Sequence, residues 1–392
     1  MFQKMPVILI LIIALATLLD SYLPLEIKSI LYAVSLSIKA TIVFVLPVIV
    51  FMLLFKALAK LANSATRTIL FVLLAVCCSN FISTMISYQI GRAVYQFDLS
   101  IVVPDSLNGL APAWTFVLPK LIPNQYAMFG GLILGLLGSK FYPVRTERIS
   151  LIFDQIIATA LKAIVYLIPI FITGFAVKLI HDRLLQNIIK EYSLIFALVA
   201  MSQLTYIGFL YFAVNRFQMP GFVSCIKNML PAALAGFSSM SSAASMPITL
   251  IGAEKNTQNP NLARLIVPTT VNVHLIGCSF AIPIFAFAVL KNFQQPEPTF
   301  WVYLLFALSF VMAKFSVAAI PGGGILVMLP ILESQMGFTS EMLSLITALY
   351  ILLDPMITCA NILGNGAFAI IISRSLKYVF KEEPQPTPAV QT

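Results

Sequence analysis

Apolar residues along this chain fall into long runs separated by charged or turn-forming clusters. Runs of this length read as membrane-crossing helices. Spans are expected at about 6–22, 30–62, 68–97, 125–142, 150–180, 191–215, 265–290 and 341–373. Two further apolar segments differ. The segment at about 221–252 contains SSMSSAASMPIT, and that at about 300–335 contains SVAAIPGGGILVMLP. Both are apolar at their ends and interrupted in the middle by small residues and a proline, so neither reads as a simple span. Pro247 is followed 25 residues later by Asn272 in PTTVNVHLIG, and Pro321 is followed 40 residues later by Asn361 in ITCANILG. Each unit is a broken hairpin and then a helix with polar residues at mid-depth. Interrupted hydrophobic segments at corresponding positions of two halves point to a transporter site at a repeat interface. Irregular backbone at membrane depth survives only where protein or water covers it, and its exposed N–H and C=O groups can bind a carboxylate or a cation.

Composition agrees with this pattern. Of 392 residues, 60% are hydrophobic and 10% charged, against about 45–50% and about 25% in a soluble domain. A polytopic membrane protein of one membrane domain is expected. The net charge of +9 is assigned to Lys and Arg flanking the spans, and no nucleic-acid partner is inferred from it. Lys4, then Lys56, Lys60 and Arg67, then Lys140, Arg145 and Arg148, then Arg216 and Lys227, then Arg374, Lys377 and Lys381 follow alternate connections. The positive-inside rule puts both termini in the cytoplasm of a bacterial-type plasma membrane. The charged connection 181–191 has mixed signs. The run from Pro6 to Leu19 follows Lys4 and lacks a small-residue cleavage site before Leu23-Pro24, so a retained first helix is expected. The five cysteines lack metal-ligand spacing and read as small packing residues. The polar, proline-rich tail 381–392 is expected to be disordered.

Asp354 carries the strongest chemical signal. It is the one charged residue between Met342 and Ser373, and a carboxylate at membrane depth marks a functional site by default. No Lys or Arg stands within this stretch to pair with it. It either meets a ligand cation such as an ammonium group, or contacts a basic group of another helix, for example Lys162 or Lys314. Thr358 and Asn361 lie at i+4 and i+7 from Asp354 and share its face. They form a ladder of hydroxyl and amide above the acid, or else hydrogen-bond between helices as packing contacts. The serine-rich stretch offers N–H groups and hydroxyls to an anion. Pro321-Gly322-Gly323-Gly324 allows a sharp, mobile turn. His274, in an apolar helix, is either a satisfied buried histidine or a titrating group that carries a coupled proton.

The succession SSAASMPIT, TTVNVHLIG, AAIPGGGILVM and DPMITCANILGNG resembles the dicarboxylate/amino acid:cation symporters, which include the glutamate and neutral amino acid transporters. The likeness runs in order through about 220–375, with further support from YLIPIFITGFAVKL and LPVIVFMLLFKALAKL upstream. The resemblance implies an all-α fold of eight transmembrane helices and two oppositely oriented re-entrant hairpins, built from inverted repeats. It implies a homotrimer, with residues 1–220 mainly scaffold apart from a transport-domain helix around 68–97, and residues 221–375 forming the core transport domain. It gives Asp354 the substrate α-ammonium, Asn361, Ser241 and Ser242 the α-carboxylate, and places Thr358 beside the substrate. The hairpin at Pro321, Gly322 and Gly323 would be the extracellular gate.

Three departures from the family pattern bear on specificity. Members that take acidic substrates carry an arginine three residues after the aspartate. This chain has Ile357 there, which cannot pair with a side-chain carboxylate. Sodium-coupled members usually read NMDGT where this chain reads NVHLI, and often carry an aspartate where Asn365 stands. Both anionic sodium ligands are thus replaced, one by His274 and one by Asn365. Asn272, Asn365, Ser79, Asn80 and Thr270 still offer neutral oxygens. The expectation is a secondary active symporter of a neutral amino acid, without a cofactor. It is coupled to a proton with His274 as carrier, or alternatively to sodium at these same residues. A C4-dicarboxylate or glutamate symporter is the alternative within the family. A passive channel and an intramembrane enzyme are the alternatives outside it. No GxSxG or HExxH motif occurs, and the only other acid for an aspartyl protease is Asp154, near the Arg145–Arg148 interface.

Overall fold

The computed structural model describes residues 5–63, 67–96, 109–119, 122, 124–182, 184–315, 317 and 322–379. The tail 381–392 and Pro321 lie outside the described residues. Thirteen α-helices follow one another, and no strand occurs among the described residues. The first six are α1 (Met5–Leu19), α2 (Leu25–Asn63), α3 (Arg67–Gln96), α4 (Asn124–Phe141), α5 (Pro143–His181) and α6 (Leu184–Val214). They overlap the first six expected spans, with α5 and α6 beginning about seven residues earlier than expected.

The two interrupted segments are helix pairs. α7 (Met219–Ser239) and α8 (Met246–Thr257) pack on each other across a break at 240–245. α11 (Phe300–Lys314) and α12 (Gly323–Met336) likewise pack on each other. At the first break the serines satisfy the turn itself. Ser241 Oγ accepts from the Ala244 N–H at 3.2 Å, Ser245 Oγ donates to the Ser241 carbonyl at 3.1 Å, and the Ser239 and Ser245 hydroxyls lie 3.2 Å apart.

One expected span is corrected. The helix expected at 265–290 is two helices, α9 (Pro260–Thr270) and α10 (Ile276–Asn292), with the chain unwound between them. Amide side chains distant in sequence satisfy the freed backbone groups. Asn80 Nδ2 donates to the Val273 carbonyl at 2.7 Å, and Asn80 Oδ1 accepts from the Leu275 N–H at 3.2 Å. Asn365 Nδ2 donates to the His274 carbonyl at 3.2 Å. At the first turn of α10, Asn361 Oδ1 accepts from the Gly277 N–H at 2.8 Å and Gln203 Nε2 donates to the Gly277 carbonyl at 3.0 Å. Buried backbone groups demand such partners.

α13 (Ser340–Val379) is a single helix of 40 residues with Pro355 inside it. The proline nitrogen cannot donate to the carbonyl one turn back, so the ladder is weakened next to Asp354. Leu70–Gln96, Tyr192–Val214 and Glu341–Leu376 are the three described helical stretches long and apolar enough to cross a bilayer outright.

Two groups of helices are visible in the packing. α2 lies along α4 and α5. A Cβ on Gly131 or Gly135 of α4 would stand 2.5 Å from the carbonyl oxygen of Phe51 or Phe55, so these small residues let the backbones meet. In the other group α10 is the central element, with every residue from Ile276 to Leu290 buried. It packs against α3, α6 and α13, while α7 lies against α13. Tyr211 on α6 donates to the Leu363 carbonyl of α13 at 2.9 Å, which ties α6 to this second group.

Candidate functional site

Asp354 is 3% exposed. Its Oδ2 accepts from the Gly322 N–H at 2.8 Å, and its Oδ1 faces the Thr358 hydroxyl at 3.5 Å. Gly322 is the N-cap of α12 and has φ of 71°, a left-handed conformation that glycine adopts without strain. The carboxylate therefore sits at a helix N-terminus, where N–H groups and the dipole favour negative charge. The Tyr350 hydroxyl adjoins it and also lies 3.2 Å from Cys278 Sγ.

Among the described residues no cation is bound to Asp354. Lys314, one of its two expected alternatives, reaches Asn80 and Ser279 instead. The side chain of Lys162, the other, is not among those described. A buried carboxylate with only neutral donors is incompletely compensated, and a ligand ammonium would complete it.

A cavity of about 30 Å³ adjoins the acid. It is lined by Ser242, Asn272, Cys278, Tyr350, Asp354, Thr358 and Asn361, with Val317 and Gly324 from the second helix pair. The space suits a water-sized molecule. Asn361 spends its oxygen on Gly277, and its amide nitrogen contacts Cys278 Sγ at 3.6 Å. That weak sulfur contact leaves an N–H donor facing the cavity.

The structure thus brings Asp354, Thr358, Asn361, Ser242 and Gly322 into one site. Ser241 stands at its edge with its hydroxyl engaged in the α7–α8 turn. Gly323 is buried in the first turn of α12. Ile357 is fully buried and does not line the cavity.

The residues expected to couple a cation divide. Ser79, Asn80, His274 and Asn365 form a second cluster. His274 Nε2 lies 2.9 Å from Ser79 Oγ, and its ring stacks on Phe368 with centroids 4.1 Å apart. His274 Nδ1 and Asn365 Oδ1 are both buried, and the Asn365 side chain adjoins the His274 ring. Asn272 lies elsewhere, on the cavity beside Asp354. Thr270 is buried with its hydroxyl bonded back to the Ile266 carbonyl at 2.9 Å.

Cys278, Tyr350, Gln203 and Ser279 join these clusters and carry no motif of their own. The one sequence signal for Lys314 is a lysine between two apolar runs.

A family model described as "Sodium:dicarboxylate symporter family" matches residues 5–375. The chain belongs to this family. Its long apolar helices are those of a multi-pass membrane protein. Excitatory amino acid transporter 1 of Homo sapiens is similar to it at 26% identity over 175 residues, covering 44% of this chain and 31% of the relative. Excitatory amino acid transporter 1 of Ambystoma tigrinum is 28% identical over 166 residues, covering 42% and 29%. Excitatory amino acid transporter 3 of Homo sapiens is 23% identical over 261 residues, covering 64% and 48%. The chain thus spans about a third to a half of the length of these relatives.

Proposed function

We propose that this family member is a secondary active symporter of a neutral amino acid, coupled to protons. The observation that carries the reading is Asp354. Its carboxylate is buried, held by a backbone N–H and a hydroxyl, and opens onto a cavity whose other lining residues are uncharged. A zwitterion complements this arrangement. Its ammonium meets Asp354, and its carboxylate meets the Asn361 amide and the Ser242 region. A second carboxylate on the substrate would find no cation among the lining residues. This favours a neutral amino acid over the dicarboxylates of the family description and over glutamate.

Proton coupling is supported by the second cluster. Ser79, Asn80, His274 and Asn365 present no carboxylate, which a hard sodium ion favours among its oxygen ligands.

In the proposed cycle the mobile body is the group built on α10, with α3, α6 and the two hairpins, and the group built on α2, α4 and α5 is the scaffold. The hairpins are re-entrant, both termini are cytoplasmic, and the assembly is a trimer in a plasma membrane. The α11–α12 tip is the gate, because its Gly322 N–H occupies the acid that the substrate ammonium takes.

Uptake into proteoliposomes under an imposed pH gradient, without sodium, tests the reading. Accumulation above the outside concentration supports symport. Flux that only collapses the amino-acid gradient identifies a channel, and uptake that needs sodium and ignores pH removes the proton.

A further inference from the structure

Lys314, at the C-terminal end of α11, is fully buried. Its Nζ reaches Asn80 Oδ1 on α3 at 3.4 Å and Ser279 Oγ on α10, and lies 4.4 Å from the centre of the Phe310 ring. Among the described residues no carboxylate lies within ion-pair distance of it. A buried ammonium held only by neutral oxygens and an aromatic face is the environment of a bound monovalent cation, with the cation attached to the chain. We propose that Lys314 is a tethered coupling cation. It stands where a free cation would otherwise bind, and the proton it releases and regains at Nζ is the one moved with the substrate.

The path from this lysine to the substrate site is short. Three consecutive residues of α10 connect them. Ser279 bonds Lys314, Cys278 contacts Tyr350 and Asn361, and Gly277 bonds Asn361. Asn80 also holds the unwound segment at Val273 and Leu275, directly after the Asn272 that lines the cavity. A change in the hydrogen bonding of Nζ therefore acts on the cavity wall.

The titratable groups facing Lys314 are His274 at the α9–α10 break and Cys278 on α10. α3 presents the amide of Asn80, and the acid of α12, Glu333, makes no ion pair with it. Asp354 and Tyr350 of α13 connect to it through Cys278.

The proton balance is simple. Outside, Nζ is –NH3⁺ when the amino acid binds. Inside, after the amino acid leaves, one proton passes from Nζ to entering water and leaves –NH2, and the empty carrier returns. Each cycle moves one proton, and no other bond changes.

This inference rests on the symport reading, so its test has two arms. The first compares wild type, Lys314→Met, Lys314→Arg and His274→Gln in proteoliposomes with a radiolabelled mixture of neutral amino acids. The readout is the ratio of accumulation with and without an inward proton gradient. Wild type should exceed 1 several-fold, and both Lys314 variants should fall to about 1, since guanidinium keeps its charge but does not release a proton. A Lys314 variant that keeps the wild-type ratio overturns the proposal. So does loss of the ratio in His274→Gln alone, which would put the proton on the histidine.

The second arm needs no transport. It compares thermal unfolding of purified protein in sodium chloride and choline chloride. Wild type should show no sodium-specific rise, and Lys314→Ser should gain one, because Asn80 and Ser279 are freed to hold the ion. A saturable sodium-specific rise in wild type, or none in either protein, overturns the proposal. A wild type that moves none of the mixture refutes the amino-acid reading and leaves this second arm to decide the role of Lys314.

Discussion

Gly322 donates its backbone N–H to Asp354 Oδ2 at 2.8 Å. The acid is thereby capped by the N-terminus of α12, the element proposed as the gate. In the proposed cycle, binding replaces this hydrogen bond with one from a ligand ammonium, so ligand entry and gate opening would act on the same oxygen.

Gly322→Ala tests this arrangement. The φ of 71° is costly for alanine, by about 1–2 kcal/mol. The cap weakens as a result, and the N–H swings away from Asp354. A lower unfolding temperature together with slowed uptake is expected. Wild-type stability with wild-type uptake would show that the cap is dispensable.

The proposed substrate class rests on the uncharged lining of the cavity around Asp354. Neutral amino acids should compete for uptake, whereas aspartate, glutamate and succinate should not. A competition assay with unlabelled compounds at the same concentration decides it. Strong inhibition by an acidic compound would show that a cation outside the observed lining enters the site.

Asn80 holds the unwound segment between α9 and α10 by both faces of its amide. Asn80→Leu conserves the volume but leaves the Val273 carbonyl and the Leu275 N–H without a partner. The expected cost is about 2–6 kcal/mol, from two buried unsatisfied groups at about 1–3 kcal/mol each. Thermal unfolding in detergent measures it, and an unchanged midpoint would show that other groups satisfy this backbone.

Much of the fold is legible in the hydrophobic runs. Helices match the expected spans at both the N-terminal side and α13, and both interrupted segments are helix pairs. The ladder of Asp354, Thr358 and Asn361 is legible because one regular helix carries it, and 3.6-residue periodicity puts the three on one face. The break between α9 and α10 is not legible. PTTVNVHLIG is apolar enough to pass for helix, and the groups that stabilise its unwound form come from residues as far away as Asn80, Gln203, Asn361 and Asn365. The break also explains why Asn272 faces the cavity while His274 faces Ser79, because helical periodicity no longer relates them. The Lys314 contact with Asn80 joins positions 234 residues apart and leaves no local trace.

The most direct test of the account is concentrative uptake of neutral amino acids by reconstituted wild type and Asp354→Asn. The amide keeps the volume and can still accept from Gly322, but it carries no charge for an ammonium. A charged hydrogen bond of about 1.5–3 kcal/mol is lost, which corresponds to a fall of roughly 10- to 150-fold in apparent affinity. The account predicts accumulation by wild type and background uptake by a folded Asp354→Asn. Unimpaired accumulation by Asp354→Asn would contradict it.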